Sequence, residues 1–167
     1  MKTLRIHDYD MAYLDLGAGP PTVLVHGSLN DFRTWAAVLG PLTAGRRVVA
    51  PSLRHYFPEL WDGMDGRFSI DQHVDDMIAF IEALDVGPVD LIGHSRGGHI
   101  SFRLACKCPD LLRKLVLAEP GGVLEEALIP VDAPKDAGLR AYVADSSAKI
   151  DAGDLEGGLK IFVDGVN

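Results

Sequence analysis

The run Gly93-His94-Ser95-Arg96-Gly97-Gly98 stands between a short apolar stretch, Val89-Asp90-Leu91-Ile92, and a helical segment from about Ser95 to Lys107. A strand that turns into a helix within a few residues forces the turn residue into a strained backbone conformation. Its neighbours two before and two after must therefore be small. Gly93 and Gly97 meet that demand, and Gly98 permits close approach of helix to sheet. Such a turn lifts the Ser95 hydroxyl above the sheet edge, at the positive end of the following helix, where a nucleophile can be activated. The competing role for Ser95 is a structural cap at an ordinary helix start.

Apolar runs and helical periods alternate around this turn, the pattern of an α/β fold with a mostly parallel sheet. Leu4–His7 and Met11–Asp15 flank Asp8-Tyr9-Asp10 as an N-terminal hairpin, and Thr22–Val25, Arg47–Ala50, Val89–Ile92 and Leu115–Ala118 supply four further strands. Asp31 to Leu39 is expected as a short helix capped by Asp31. The clearest helix is Ile70–Leu84, where Ile70, Val74, Met77, Ile78, Ile81 and Leu84 share one face. Ser69 and Gln72 form a capping box at its start, Gly87-Pro88 ends it, and Asp75-Asp76 is expected on its solvated face. After residue 122 the strand signals stop, and Leu139–Val143 and Leu155–Val166 have helical character. In the second of these, Leu155, Leu159, Phe162, Val163 and Val166 form a stripe with nothing after it to cover it.

Composition excludes several function classes. The 167 residues carry 24 acidic and 16 basic side chains, a net charge of −8, and 7% aromatics. That balance suits neither a phosphate-tracking surface nor a stacking platform for single strands, so no nucleic acid is expected as a partner. No run approaches the roughly 20 apolar residues that span a bilayer, and charges interrupt the N-terminus, so no membrane is expected and the location is expected to be cytoplasmic. The two cysteines, Cys106 and Cys108, point about 200° apart on a helix, suit neither a disulfide nor a shared metal, and are expected as ordinary buried or half-buried thiols. No His or Cys cluster has metal-ligand spacing, so neither metal nor cofactor is expected.

His26-Gly27-Ser28-Leu29 closes the strand ending near residue 25. A His-Gly turn there bends the chain so that the Ser28 or Leu29 amide can face an oxyanion, with the Arg96 amide as its partner. His26 is open to two roles, a general base by residue type or a structural support of the turn. His94 is turned away from the nucleophile, toward a pocket wall. Ligands of open α/β sheets bind at the carboxyl ends of strands, which places Arg54, His55 and Tyr56 within reach of a substrate, with Trp35 and His26 beside them.

Strand–His26-Gly27–loop–Trp35, strand–Pro51, and strand–Gly93-His94-Ser95-Arg96-Gly97-Gly98–helix together resemble the α/β-hydrolase superfamily, over about residues 3 to 122. The resemblance implies a sheet of which about six of the usual eight strands are present in 1–122, with 123–167 as the incomplete start of a helical cap. It implies a serine hydrolase acting on an ester or related acyl bond of a small-molecule substrate, through a Ser95 acyl-enzyme. Carbon–carbon bond hydrolysis and perhydrolysis use the same residues, and a non-catalytic small-molecule-binding protein of this fold is the rival from another class. Haloalkane dehalogenase chemistry is disfavoured, because those enzymes carry aspartate at the nucleophile position. The family's order is Ser, acid, His, yet the histidine after Ser95 is His99, inside the same helix. Glu119, after the sixth strand, is a candidate acid or pocket residue. The base histidine is expected from a C-terminal part of the hydrolase, as a second polypeptide or as the remainder of a truncated or cleaved chain.

Overall fold

The computed structural model describes residues 1–61, 68–122 and 137–166. They fall into two compact units, Met1–Val123 and Leu124–Asn167. The first holds a six-stranded sheet: β1 Lys2–Ile6, β2 Tyr9–Leu16, β3 Pro21–Val25, β4 Arg47–Pro51, β5 Val89–His94 and β6 Leu112–Ala118, in the spatial order β1-β2-β4-β3-β5-β6. β1 and β2 form the antiparallel hairpin and β2 pairs antiparallel with β4, while β3, β4, β5 and β6 run parallel. The helices of this unit are α1 Ala36–Thr43, α2 Ile70–Leu84 and α3 Arg96–Lys107.

β3, β4 and β5 are near-continuous apolar runs because the sheet is covered on both faces there. Val23, Val25 and Val49 join the larger core cluster with Val74, Met77, Phe80 and Leu104 from α2 and α3. Leu24, Val48 and Ala50, one residue out of phase, join a smaller cluster on the other face with Phe32, against which Trp35 and Leu39 pack. α2 starts as its capping signal predicts, with the Ser69 hydroxyl accepting from the Gln72 N–H at 3.1 Å. The Gln72 amide does not return to Ser69 but donates to Asp76 Oδ1 at 3.0 Å. The helix ends at Asp85, which takes the left-handed conformation two residues before Gly87.

Four details differ from the sequence reading. Asp31 caps a 3-10 turn, Phe32–Trp35, and α1 follows it with Pro41 inside. β6 begins three residues earlier than its apolar run, because Arg113 bonds Asp90 of β5 and anchors a charged strand start. Cys106 lies exposed on the surface rather than in packing. Asp76 is fully buried rather than solvated, whereas Asp75 reaches the surface and pairs with Lys107.

Asp76 belongs to the most buried charge network of the unit. Its carboxylate accepts from Arg54 Nε at 2.8 Å and Nη2 at 2.9 Å. Arg54, itself 6% exposed, also reaches Asp8 at 3.2 Å and lies over the Tyr9 ring. One guanidinium thus ties the hairpin turn to α2 and to the loop after β4.

In the second unit, α4 Ala137–Asp151 and α5 Leu155–Val166 pack as a pair. Tyr142 meets Phe162 edge-on and the Ser146 hydroxyl bonds the Gly158 carbonyl at 2.8 Å, so α4 covers part of the stripe that the sequence leaves bare. Among the described residues no helix is long and apolar enough to cross a membrane.

Breaking a buried ion pair from one side leaves an unpaired buried charge, at a typical cost of about 3–5 kcal/mol. Asp76→Asn is therefore expected to destabilise the sheet unit by about that amount, read as a drop in the urea midpoint. An unchanged midpoint refutes the assignment.

Candidate active site

The parallel register builds the site. Val25 lies opposite Gly93 and His94 opposite Ala118, so the ends of β3, β5 and β6 converge on Ser95. Ser95 adopts φ 51° and ψ −122°, a strained conformation for a residue with a Cβ. Two backbone bonds to the chain around the end of β6 hold it there. Its N–H donates to the Ala118 carbonyl at 3.0 Å and its own carbonyl accepts from Gly121 at 2.9 Å. The glycines are sterically required. A Cβ at Gly97 would collide with the Val25 and His26 carbonyl oxygens, and one at Gly98 would lie 2.9 Å from Pro120 Cα. A Cβ at Gly27 would lie 3.1 Å from both Ser95 Cβ and His94 Nδ1, so the His-Gly turn sits directly beside the serine, under the half-buried His94 ring.

The first hydrogen bond of α3 runs from the His99 N–H to the Ser95 carbonyl, 3.1 Å. The Arg96 amide, at the first position of that helix, is left free of the helix ladder and available to an anion. Leu29 takes φ 56° at the other turn and is exposed, while Ser28 is half-buried. Ser28 and Leu29 follow Gly27 on the turn beside Ser95.

His26 is fully buried and both ring nitrogens are engaged. Nδ1–H donates to the Gly27 carbonyl at 2.8 Å and Nε2 accepts from the Leu53 N–H at 3.0 Å. Burial pushes its pKa down to about 4. It locks the loops after β3 and β4 together and offers no ring nitrogen to a substrate, which corrects its expected place on the binding surface. Arg54 and His55 are corrected likewise. Arg54 is neutralised by Asp76 and Asp8, and the His55 side chain, 2% exposed, stacks on Trp61 and bonds Glu59. Trp35 is partly buried and packs against the smaller core cluster. Tyr56 stays half-buried beside the site, edge-on to His26 with ring centroids 4.8 Å apart, and burial raises its pKa. Glu119 is exposed at φ 47°, one residue past the strand position opposite His94. The His99 ring packs against Gly122, and burial lowers its pKa.

The sequence reading missed His73. Lying fully buried on α2, it donates from Nε2 to the Arg54 carbonyl at 3.2 Å and accepts at Nδ1 from Arg96 Nη2 at 3.3 Å. Burial first, and then the Arg96 charge, lower its pKa to about 4. The Arg96 guanidinium is carried in turn by the Phe68 ring, 4.5 Å from its centroid. A cleft of about 310 Å3 lies at the other end of β5, where Asp90 is clamped between Arg46 and Arg113. Those mutually neutralised charges stand apart from this chemistry.

Comparison with known proteins agrees with the geometry. Residues 20–152 match the family described as the alpha/beta hydrolase fold, and the chain belongs to that family. It is 35% identical over 123 residues to 2-hydroxy-6-oxo-2,4-heptadienoate hydrolase of Pseudomonas putida F1, covering 71% of this chain and 44% of that protein. A haloalkane dehalogenase of Mycolicibacterium paratuberculosis is 33% identical over 118 residues, covering 70% of this chain and 38% of the relative. The solved structure of Rv0554 from Mycobacterium tuberculosis superposes with a TM-score of 0.70 at 26% identity, over 91% of this chain and 53% of that one. The chain spans less than half the length of these two curated relatives.

His26 and His73 both have folded pKa values below the usual 6.5, so folding excludes their charged forms. Their contribution to stability is complete above about pH 6.5 and is lost as the pH falls toward 4. Unfolding free energy is expected to drop by on the order of 2 kcal/mol per histidine between about pH 7 and about pH 4.5. Carboxylates held low by arginine, such as Asp15 at about 2, lose their contribution only below this window. His73→Gln should remove its share of the slope in denaturant titrations, and an unaltered slope refutes the assignment.

Proposed function

We propose that this chain is the nucleophile-bearing part of a serine hydrolase that cleaves an ester or related acyl bond of a small molecule. The observation that carries this reading is Ser95, strained at a strand-to-helix turn, with the Arg96 amide on one side and the Ser28–Leu29 turn on the other. Ser95 Oγ attacks the acyl carbon while its proton passes to a base, and the two amides stabilise the oxyanion at about 3 kcal/mol each. Collapse of the tetrahedral intermediate expels the leaving group with that proton and leaves the acyl-enzyme, which water hydrolyses. No cofactor is needed.

Neither of the two fully buried histidines beside the site supports the role of base. His26 and His73 have both nitrogens engaged and pKa values far below neutrality, which disqualifies them as bases near pH 7. We assign it, with the acid, to the C-terminal part of the same hydrolase, docked along β6. That strand is the sheet edge, and its Leu115 and Val116 are 36% and 51% exposed. The second unit, with α4 and α5, we assign to the beginning of a cap.

Carbon–carbon bond hydrolysis by the same serine is the second reading, favoured by the 35% identity to a heptadienoate hydrolase. Dehalogenation is disfavoured despite the dehalogenase relative, because the elbow presents a hydroxyl instead of a carboxylate.

The protein, purified with any polypeptide that accompanies it, is treated with a fluorophosphonate and its intact mass measured under denaturing conditions. An adduct on this chain, abolished in Ser95→Ala, is expected alongside the mass of a complementing polypeptide. An unmodified chain in the presence of that polypeptide overturns the hydrolase reading in favour of a binding protein.

A further inference from the structure

We propose that the Arg96 guanidinium is the counter-ion for a carboxylate on the substrate, so that the site selects anionic acyl compounds. This rests on Ser95 being the nucleophile, because it names the substrate class of that same site. In this acid-rich chain the seven other arginines whose side chains are described each place a nitrogen within 3.2 Å of an aspartate oxygen. Arg96 alone among them has no carboxylate. Its partners are neutral: the Nδ1 of His73 at Nη2 and the face of Phe68. Its Nε is buried, and no acceptor meets it among the described residues.

A half-buried cation without a counter-ion is costly, and a planar guanidinium is shaped to take a carboxylate through paired hydrogen bonds. The uncompensated charge is felt nearby, since Arg96 lowers the pKa values of His26, His73 and His99. Arg96 also directly follows Ser95, so the cation and the nucleophile are neighbours along the chain. His73 and Phe68 hold the guanidinium in place without neutralising it, which leaves its charge for a ligand.

The protein, with any polypeptide that accompanies it, is titrated with benzoate and with its neutral counterpart benzamide, by calorimetry. Benzoate is expected to bind at least about tenfold more tightly. R96Q should abolish that preference, whereas R96K should keep part of it. R96M, whose stem still covers Phe68, stands in should R96Q fail to fold. Equal affinities for the two probes, or a preference that survives in the neutral variants, overturn the proposal. Fluorophosphonate labelling of the same samples separates the two readings. A benzoate preference without labelling removes the hydrolase and keeps the carboxylate site, and labelling without the preference does the reverse.

Discussion

Ser95 stays in its unfavourable backbone conformation only because the chain on every side of it has been cleared to backbone thickness. The carbonyls of Val25 and His26 occupy the space a Gly97 side chain would need, Pro120 abuts Gly98, and the Ser95 Cβ leaves no comfortable room for a side chain at Gly27. Strain of this kind costs on the order of 1–3 kcal/mol and persists only where the surroundings over-determine it. Here three strand ends do so, through parallel register and two backbone hydrogen bonds that tie Ser95 to the chain around the end of β6. The hydroxyl is consequently held by main chain, and the amides around it are held by the same atoms.

Behind this turn lies a chain of polar contacts that reaches the opposite edge of the sheet. Asp8 meets Arg54, Arg54 is bound by Asp76, the Arg54 carbonyl receives His73, and His73 receives Arg96. Each link is buried or half-buried, so each donor without its acceptor would carry a desolvation penalty of about 1–3 kcal/mol. The N-terminal hairpin, on the far side of the sheet from β6, is thereby coupled to the orientation of the residue after the nucleophile. His26 performs the same service for the loops after β3 and β4, with its two nitrogens fixed on Gly27 and Leu53.

The parts of this architecture that were legible in the sequence are those set by local sterics or by strand periodicity. Gly93, Gly97 and Gly98 around a serine declare a turn too tight for side chains, and the runs at 22–25, 47–50 and 89–92 can only be strands covered on both faces. The polar network was not legible, because its pairings span 22 and 46 residues and depend on α2 lying across the hairpin. A pair of adjacent aspartates carries no local sign of which is buried. Asp75 and Asp76 point about 100° apart on α2, and only the position of Arg54 decides between them. Arg54 and His55 misled for a related reason: the carboxyl end of a strand is where ligands bind, but it is also where buried polar ties between loops are made.

His26 and His73 show how burial suits a histidine to a structural role. A base that cycles during turnover needs a pKa near the working pH, a nitrogen free to accept, and a partner for the charge it acquires. His26 and His73 fail each condition through the interactions that make them good structural groups, since burial and bonding of both nitrogens give rigidity and remove basicity together. After burial, the positive charge of Arg96 lowers both pKa values further. A carboxylate bound at Arg96, as proposed above, would relieve only that part of the penalty, because the burial of both rings and the bonds at their nitrogens would remain.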